Sequence, residues 1–197
     1  MTASSPAPSA RRDELLELAY MYALEHGLAD VSLRPLAAAV GSSPGVLMFL
    51  FGSKEGLVRA LLARARSDEL ALLSDLRRTG DSPGLGAVAA QVWTWLAADR
   101  HRPLLVLWVE AYARSLVDPD GPWSGFGRGT VDDWLEVLAG AQPATERDSP
   151  DGTAERTLVL AVLRGALLDL LATGDLTRTT EAVHRQLRAL LADVGPG

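Results

Sequence analysis

Five tryptophans, Trp93, Trp95, Trp108, Trp123 and Trp134, all lie between residues 93 and 134, together with Tyr112 and Phe126. Pockets for small organic molecules are mostly apolar and aromatic, with a few polar groups that orient the guest. Glu110 and Arg114, with Gln91 and His101, are placed in sequence to supply those groups. Trp108 and Tyr112 are four residues apart and share a helix face, with Glu110 pointing elsewhere. The alternative for any one of these rings is an ordinary place in the core. The glycine-rich stretch Gly121 to Gly129 reads as a flexible gate to such a pocket, or as a plain loop.

Catalytic chemistry finds no comparable grouping. The three histidines, His26, His101 and His184, are scattered, and no HExxH, GxSxG or P-loop pattern is present. With no cysteine, the chain has neither disulfide nor thiolate site. Gly125-Phe126-Gly127-Arg128-Gly129 has the look of a phosphate loop but no strand before it, and reads as a hinge. Asp132 and Asp133 are neighbours, so on a helix they point about 100° apart. Placed at a helix start after Thr130, they would favour the dipole rather than act as a pair. Neither an enzyme nor a metal or other cofactor is expected.

The elements that would carry these residues are helical throughout, since no run alternates with period two for long. A first helix is expected from Arg11 to His26, with Leu15, Leu18, Ala19, Tyr22 and Ala23 on one face and Gly27 as its stop. Ser32 is placed to cap a second, with Leu36, Ala37 and Val40 inward and Gly41 at its end. Pro44 then opens a short third helix to about Leu50, Gly52 closes it, and Ser53 caps a fourth running towards Arg77. Thr79 to Gly86 reads as a joint rich in Gly and Pro. Beyond it, helices are expected near 87–98, 103–117, 130–139, 153–173 and 177–194. The resulting organisation is all-α: a tail over residues 1–10, a three-helix helix-turn-helix domain over 11–58, and a helical ligand-binding and dimerisation domain over 59–197.

Net charge is -6, which taken alone argues against nucleic acid, whose binding rests on Lys and Arg releasing counterions. The average conceals an uneven spread. Residues 1–66 carry seven basic side chains against six acids, leaving the excess of acid to the remainder. The tail lacks the apolar stretch of a secretion signal, and the most apolar run, Leu158 to Ala172, falls short of a bilayer span. A membrane is therefore not an expected partner, and the cytoplasm is the expected compartment.

Helix, tight glycine turn, helix is the spacing of a helix-turn-helix, whose second helix enters the major groove with its N-terminal residues near the base edges. Here those residues are Ser42, Ser43, Pro44 and Gly45. Leu33-Arg34-Pro35-Leu36-Ala37-Ala38-Ala39-Val40-Gly41-Ser42-Ser43-Pro44-Gly45-Val46-Leu47, followed by Phe51-Gly52-Ser53-Lys54-Glu55-Gly56-Leu57, resembles the signature of the tetracycline-repressor (TetR) family of transcriptional regulators. The resemblance covers about the first third of the chain. It implies DNA contacts at Ser32, Ser43, Gly45 and Lys54; Arg34 is added on its charge. It also implies that the last two helices, joined at Gly174, pair with their twins in a homodimer that suits palindromic DNA. Leu160, Leu163, Leu167 and Leu171, with Val183, Leu187, Leu190 and Leu191, are candidates for that interface or for the core.

One segment departs from the family pattern. Where the family has an aromatic hydroxyl followed by polar or histidine residues, this chain has Met48-Phe49-Leu50. Met48 donates no hydrogen bond to phosphate, and Phe49 cannot read donors or acceptors on base edges. Three readings compete: an operator leaning to A·T, reliance on the N-terminal arm and DNA shape, or weakened DNA binding. The expected function is a DNA-binding regulator relieved by a hydrophobic or aromatic small-molecule effector. The alternative is a helical small-molecule-binding dimer whose DNA binding is weakened or absent.

Overall fold

A computed structural model describes residues 8–27, 32–77 and 84–193, and among these there are helices and turns but no strand. The expected tail over residues 1–7, the joint over 79–83 and the side chains of Leu190 and Leu191 lie outside the described residues, as does Val194.

The chain divides into two compact units, Met1–Asp68 with Val106–Gly127, and Glu69–Leu105 with Arg128–Gly197. The first holds α1 (Pro8–His26), α2 (Leu33–Ala39), α3 (Pro44–Phe51), the opening turns of α4 (Lys54–Arg77) and most of α6 (Arg102–Val117). α1 packs on both α2 and α3, and α2 packs on α3. Their shared core is Leu15, Ala19, Tyr20 and Ala23 of α1, Leu36, Ala37 and Val40 at α2, Leu47 and Phe51 of α3, and Leu57, Val58, Leu61 and Leu62 of α4. The inward face of α1 thus differs from the sequence expectation at two places: Leu18 is exposed, and Tyr20 is buried in its stead. α1 also begins at Pro8, within the expected tail, because proline is tolerated in the first turn, where its missing N–H costs nothing.

The second unit contains α5 (Leu85–Leu96), α7 (Phe126–Gly140) after its first two residues, α8 (Ala144–Arg147), α9 (Pro150–Thr173) and α10 (Leu176–Asp193). α9 and α10 form an antiparallel hairpin turned by Gly174 at φ +71°, and α5 packs against both. Leu160, Leu163 and Leu167, with Val183 and Leu187, are buried within this unit, so that these candidates are core of the protomer. α9 starts three residues earlier than expected because Ser149 accepts a hydrogen bond from the Gly152 N–H (2.9 Å) with Pro150 behind it.

The expected hinge is corrected. Gly125 does take a left-handed φ of +76°, but Phe126 to Gly129 form the first turn of α7. Helix costs glycine roughly 1 kcal/mol against alanine; here packing overrides it, since Gly127 donates its N–H to Ser115 Oγ (3.1 Å) and a Cβ at Gly127 would sit 2.6 Å from that oxygen. Because α7 begins at Phe126, Asp132 and Asp133 lie beyond its first turn rather than at its start. Likewise Leu85 and Gly86, expected in the joint, open α5.

Candidate nucleic-acid interface

The geometry of α2, α3 and the start of α4 follows from three glycine and serine stations. At Gly41 (φ +63°), the N–H groups of Gly41 and Ser42 bond back to the carbonyls of Ala38 (3.2 Å) and Ala37 (2.8 Å), the paired bonds that close a helix at a left-handed residue. Ser43 follows in extended conformation and accepts the Val46 N–H at 3.3 Å, and Pro44 supplies a first helical residue with fixed φ. The α2 and α3 axes meet at 99°, within the range of a helix-turn-helix. Gly52 (φ +78°) ends α3, and Ser53 accepts the Gly56 N–H (2.9 Å) to cap α4. Ser32 stands at the N-cap position of α2 but makes no capping bond, so its expected role as a cap is not realised.

Ser32, Arg34, Ser43, Gly45 and Lys54 are exposed, as are Met48 and Phe49, while Ser42 and Pro44 are half-buried. Leu47 and Phe51 turn inward, and Phe49 is 83% exposed. Arg34, Lys54 and Arg59 are the basic residues of this stretch, against the single acid Glu55. The Glu55 carboxyl is held below its ordinary range by its own backbone N–H and by the Ser53 hydroxyl. Lys54 sits at the first turn of α4, where its charge and the helix dipole both suit a phosphate oxygen.

α4 is fastened to α1 by a cluster that sequence reading missed. Arg64 Nε donates to Glu17 (2.5 Å), another of its guanidinium N–H groups donates to Asp68, and the guanidinium lies 4.9 Å from the centre of the Tyr20 ring. The Tyr20 hydroxyl donates to Asp68 at 2.9 Å. The signal in sequence was thin: Arg64 and Asp68 are four apart, but their partners lie on another helix. Burial, then the bond to Asp68, pushes the Tyr20 phenol well above its ordinary value. Below pH ~10 both native and unfolded phenols are protonated and the contribution is whole. Above it the unfolded chain releases a proton that the native protein keeps, so stability falls as pH rises. Melting temperature should therefore decline more steeply between pH 9 and 11 for the parent than for Tyr20→Phe. Parallel declines would refute this role.

Comparison with known proteins bears on the same stretch. Residues 15–61 match the model of the tetR family of bacterial regulatory proteins. This head, residues 15–61, is thus similar to the DNA-binding part of tetR-family regulators. A curated relative, the HTH-type transcriptional regulator BetI of Stenotrophomonas maltophilia (strain R551-3), is 29% identical over 114 residues, 48% of this chain and 57% of the relative. The chain thus matches little more than half of that relative's length. In fold, it is similar to a transcriptional regulator from Rhodococcus sp. Rha1 (TM-score 0.74, 22% identity, 94% of this chain and 99% of that one). It is also similar to SmeT in a complex with triclosan (TM-score 0.67, 21% identity, 92% and 91%).

Outside this head, the expected ligand-binding residues are distributed between the two units. In the first, Trp108 stacks on Tyr112 with ring centroids 5.2 Å apart, as their spacing predicts. Trp123 and Phe126 are buried, Glu110 is half-buried with a carboxylate oxygen 3.2 Å from where a Cβ on Gly27 would stand, and Arg114 is exposed. In the second, Trp93 donates its indole N–H to Thr180 (3.1 Å), Trp95 stacks on His101 at 4.0 Å, and buried Trp134 donates to buried Glu69. Trp93, Trp95 and Trp134 are thus taken up by separate local partners. Glu69 was missed in sequence, as nothing local distinguishes it from a solvated helix acid. A shallow hollow of about 600 Å³ on α10 is lined by Glu181, His184, Arg185 and Arg188, none of them among the aromatic candidates. Among the described residues no group of His, Cys, Asp and Glu is arranged to hold a metal ion. No single described helix is long and apolar enough to cross a membrane; α2 and α3 pass only as a pair bent by 99°.

Proposed function

We propose that the chain is a ligand-responsive, DNA-binding transcriptional regulator, a repressor whose hold on a palindromic operator is relieved by a hydrophobic or aromatic small molecule. In this reading residues 11–58 serve as the DNA-binding head and residues 59–197 as the ligand-binding and dimerisation part. The observation that carries it is α3, set at 99° to α2 with its N-terminal end and outer face open and with Arg34 and Lys54 exposed nearby in sequence. Ser43, Gly45, Met48 and Phe49 would face the groove, and Lys54 the phosphate backbone. The SmeT complex with triclosan, a likeness in fold, supports an aromatic effector. Trp108 and Tyr112, half-buried and stacked within the first unit, would serve such a guest. α4 continues from the first compact unit into the second and is the element through which a ligand would shift the population of heads suited to DNA.

The dimer would form through α9 and α10. With Leu163 and Leu167 committed to the core, the outer face of α9 presents Leu158, Ala161, Gly165, Leu168 and Ala172, all exposed and spaced three and four apart. Small residues at Ala161 and Gly165 would let a second helix approach closely.

A labelled duplex covering the DNA that flanks the gene provides the test, read by fluorescence anisotropy. Tight binding is expected, with release on adding triclosan as a first aromatic probe. Lys54→Ala should weaken binding about tenfold and lower the salt slope by about one for each phosphate the lysine no longer neutralises. Absence of binding at low salt would favour a small-molecule-binding dimer without operator binding, a second reading to which the apolar Met48 and Phe49 lend support.

A further inference from the structure

The eight residues of α3, Pro44 to Phe51, contain no charged side chain and no side-chain donor or acceptor of the kind that pairs with a base edge. Leu47 and Phe51 are spent on the core and Leu50 is half-buried. What remains outward is Gly45, Val46, Met48 and Phe49, and Phe49 is the most exposed of the large hydrophobic residues among those described. An apolar ring so exposed contributes almost nothing to the fold, so stability does not account for its presence. Its surroundings in sequence are cationic: Arg34, Lys54 and Arg59 are exposed, with Glu55 the single opposing charge. A basic margin around an uncharged apolar centre is complementary to a phosphate-walled groove with an apolar floor feature.

The major groove offers one such feature. Adenine, guanine and cytosine show donors and acceptors there, whereas thymine adds a C5-methyl group, and apolar side chains meet it. Gly45 leaves the N-terminal end of α3 bare: a Cβ there would find nothing nearer than Ser43 Oγ at 3.9 Å. One turn further along the same face stands the Phe49 ring, with Val46 and Met48 beside it. Ser43, at the N-cap, accepts the Val46 N–H, and beyond its hydroxyl α3 offers no polar side chain to select a base by hydrogen bonding.

We propose that Val46, Met48 and Phe49 read the C5-methyl groups of thymines in the major groove, with Phe49 as the principal contact, so that the operator half-site is chosen by methyl groups rather than by hydrogen bonds. This rests on the DNA-binding reading above.

The test begins with the full chain and duplexes selected on it from a randomised pool. Each thymine of a selected duplex is then replaced by uracil, which removes the methyl and leaves the base pair. Loss of one buried methyl should lower affinity about 4-fold, and about 15-fold when the symmetric position in the other half-site is changed with it. Phe49→Ala, at an exposed position that leaves the melting temperature unchanged, should bind the thymine duplex more weakly and should no longer distinguish thymine from uracil at the contacted position. Placing 5-methylcytosine paired with guanine there should restore part of the affinity that an unmethylated C·G pair loses. Specific binding with no response to uracil anywhere would overturn the methyl reading while leaving DNA binding intact. Recovery of no specific duplex would overturn both. Self-association that Phe49→Ala abolishes, with DNA affinity unchanged, would make this face a protein contact and also overturn it.

Discussion

Leu168→Arg is expected to yield a folded monomer that binds an operator duplex at least about 100-fold more weakly than the parent, because the second half-site no longer benefits from a tethered partner. Leu168 is 51% exposed in the protomer and lies on the α9 strip with Ala161, Gly165 and Ala172. Substitutions at such exposed positions change the stability of an isolated chain by no more than about 0.5 kcal/mol. Paired across a two-fold axis, the same change would bury two guanidinium groups against each other without partners, which costs several kcal/mol per ion. Sedimentation velocity separates the outcomes. A variant that still sediments as a dimer would remove α9 from the interface.

Trp93→Ala is expected to produce the largest loss of stability, about 3 to 5 kcal/mol. Trp93 is 1% exposed on α5, the helix that packs against both arms of the α9–α10 hairpin. Truncation removes the ring and leaves a cavity that the two long helices can fill only partly. It also leaves Thr180 without the indole N–H that reaches its hydroxyl. Urea denaturation should show the midpoint shifted strongly, in contrast to Trp95→Ala, since Trp95 is only half-buried and stacks on His101 near the turn before α6. Equal losses at the two positions would contradict this placement of the core.

The legible parts of this fold are those written by local rules. Gly27, Gly41, Gly52 and Gly174 end helices at positive φ as their positions in sequence suggest, and Ser53 caps as expected. These features act within one turn of chain, so a one-dimensional reading finds them. The errors arise where a distant partner outweighs the local signal. Gly127 looks like a hinge residue until Ser115, twelve residues away, is seen to occupy the space of its missing side chain. Tyr20 looks like a surface tyrosine on a helix whose inward face is already complete with Leu18, until Asp68 of α4 is found to receive its hydroxyl. The leucines of α9 illustrate a limit of a different kind. Periodicity shows that Leu160, Leu163 and Leu167 share a face, but the packing of α10 and α5 decides that this face is core and leaves Leu158 and Leu168 outward. At the outer surface of α3, sequence was sufficient to identify its apolar character but not the exposure of Phe49, which depends on which residues the core takes, here Leu47 and Phe51.

Hydroxyl-radical footprinting of the DNA flanking the gene, with the full chain, tests most directly whether this is a dimeric operator-binding protein. Two protected patches related by a dyad, their centres one helical turn or a whole multiple of about 34–36 Å apart, are expected from two heads in successive major grooves. Both patches should fade together on adding an effector. A single patch without symmetry, or no protection at concentrations where the chain is fully folded, would contradict a regulator of this kind.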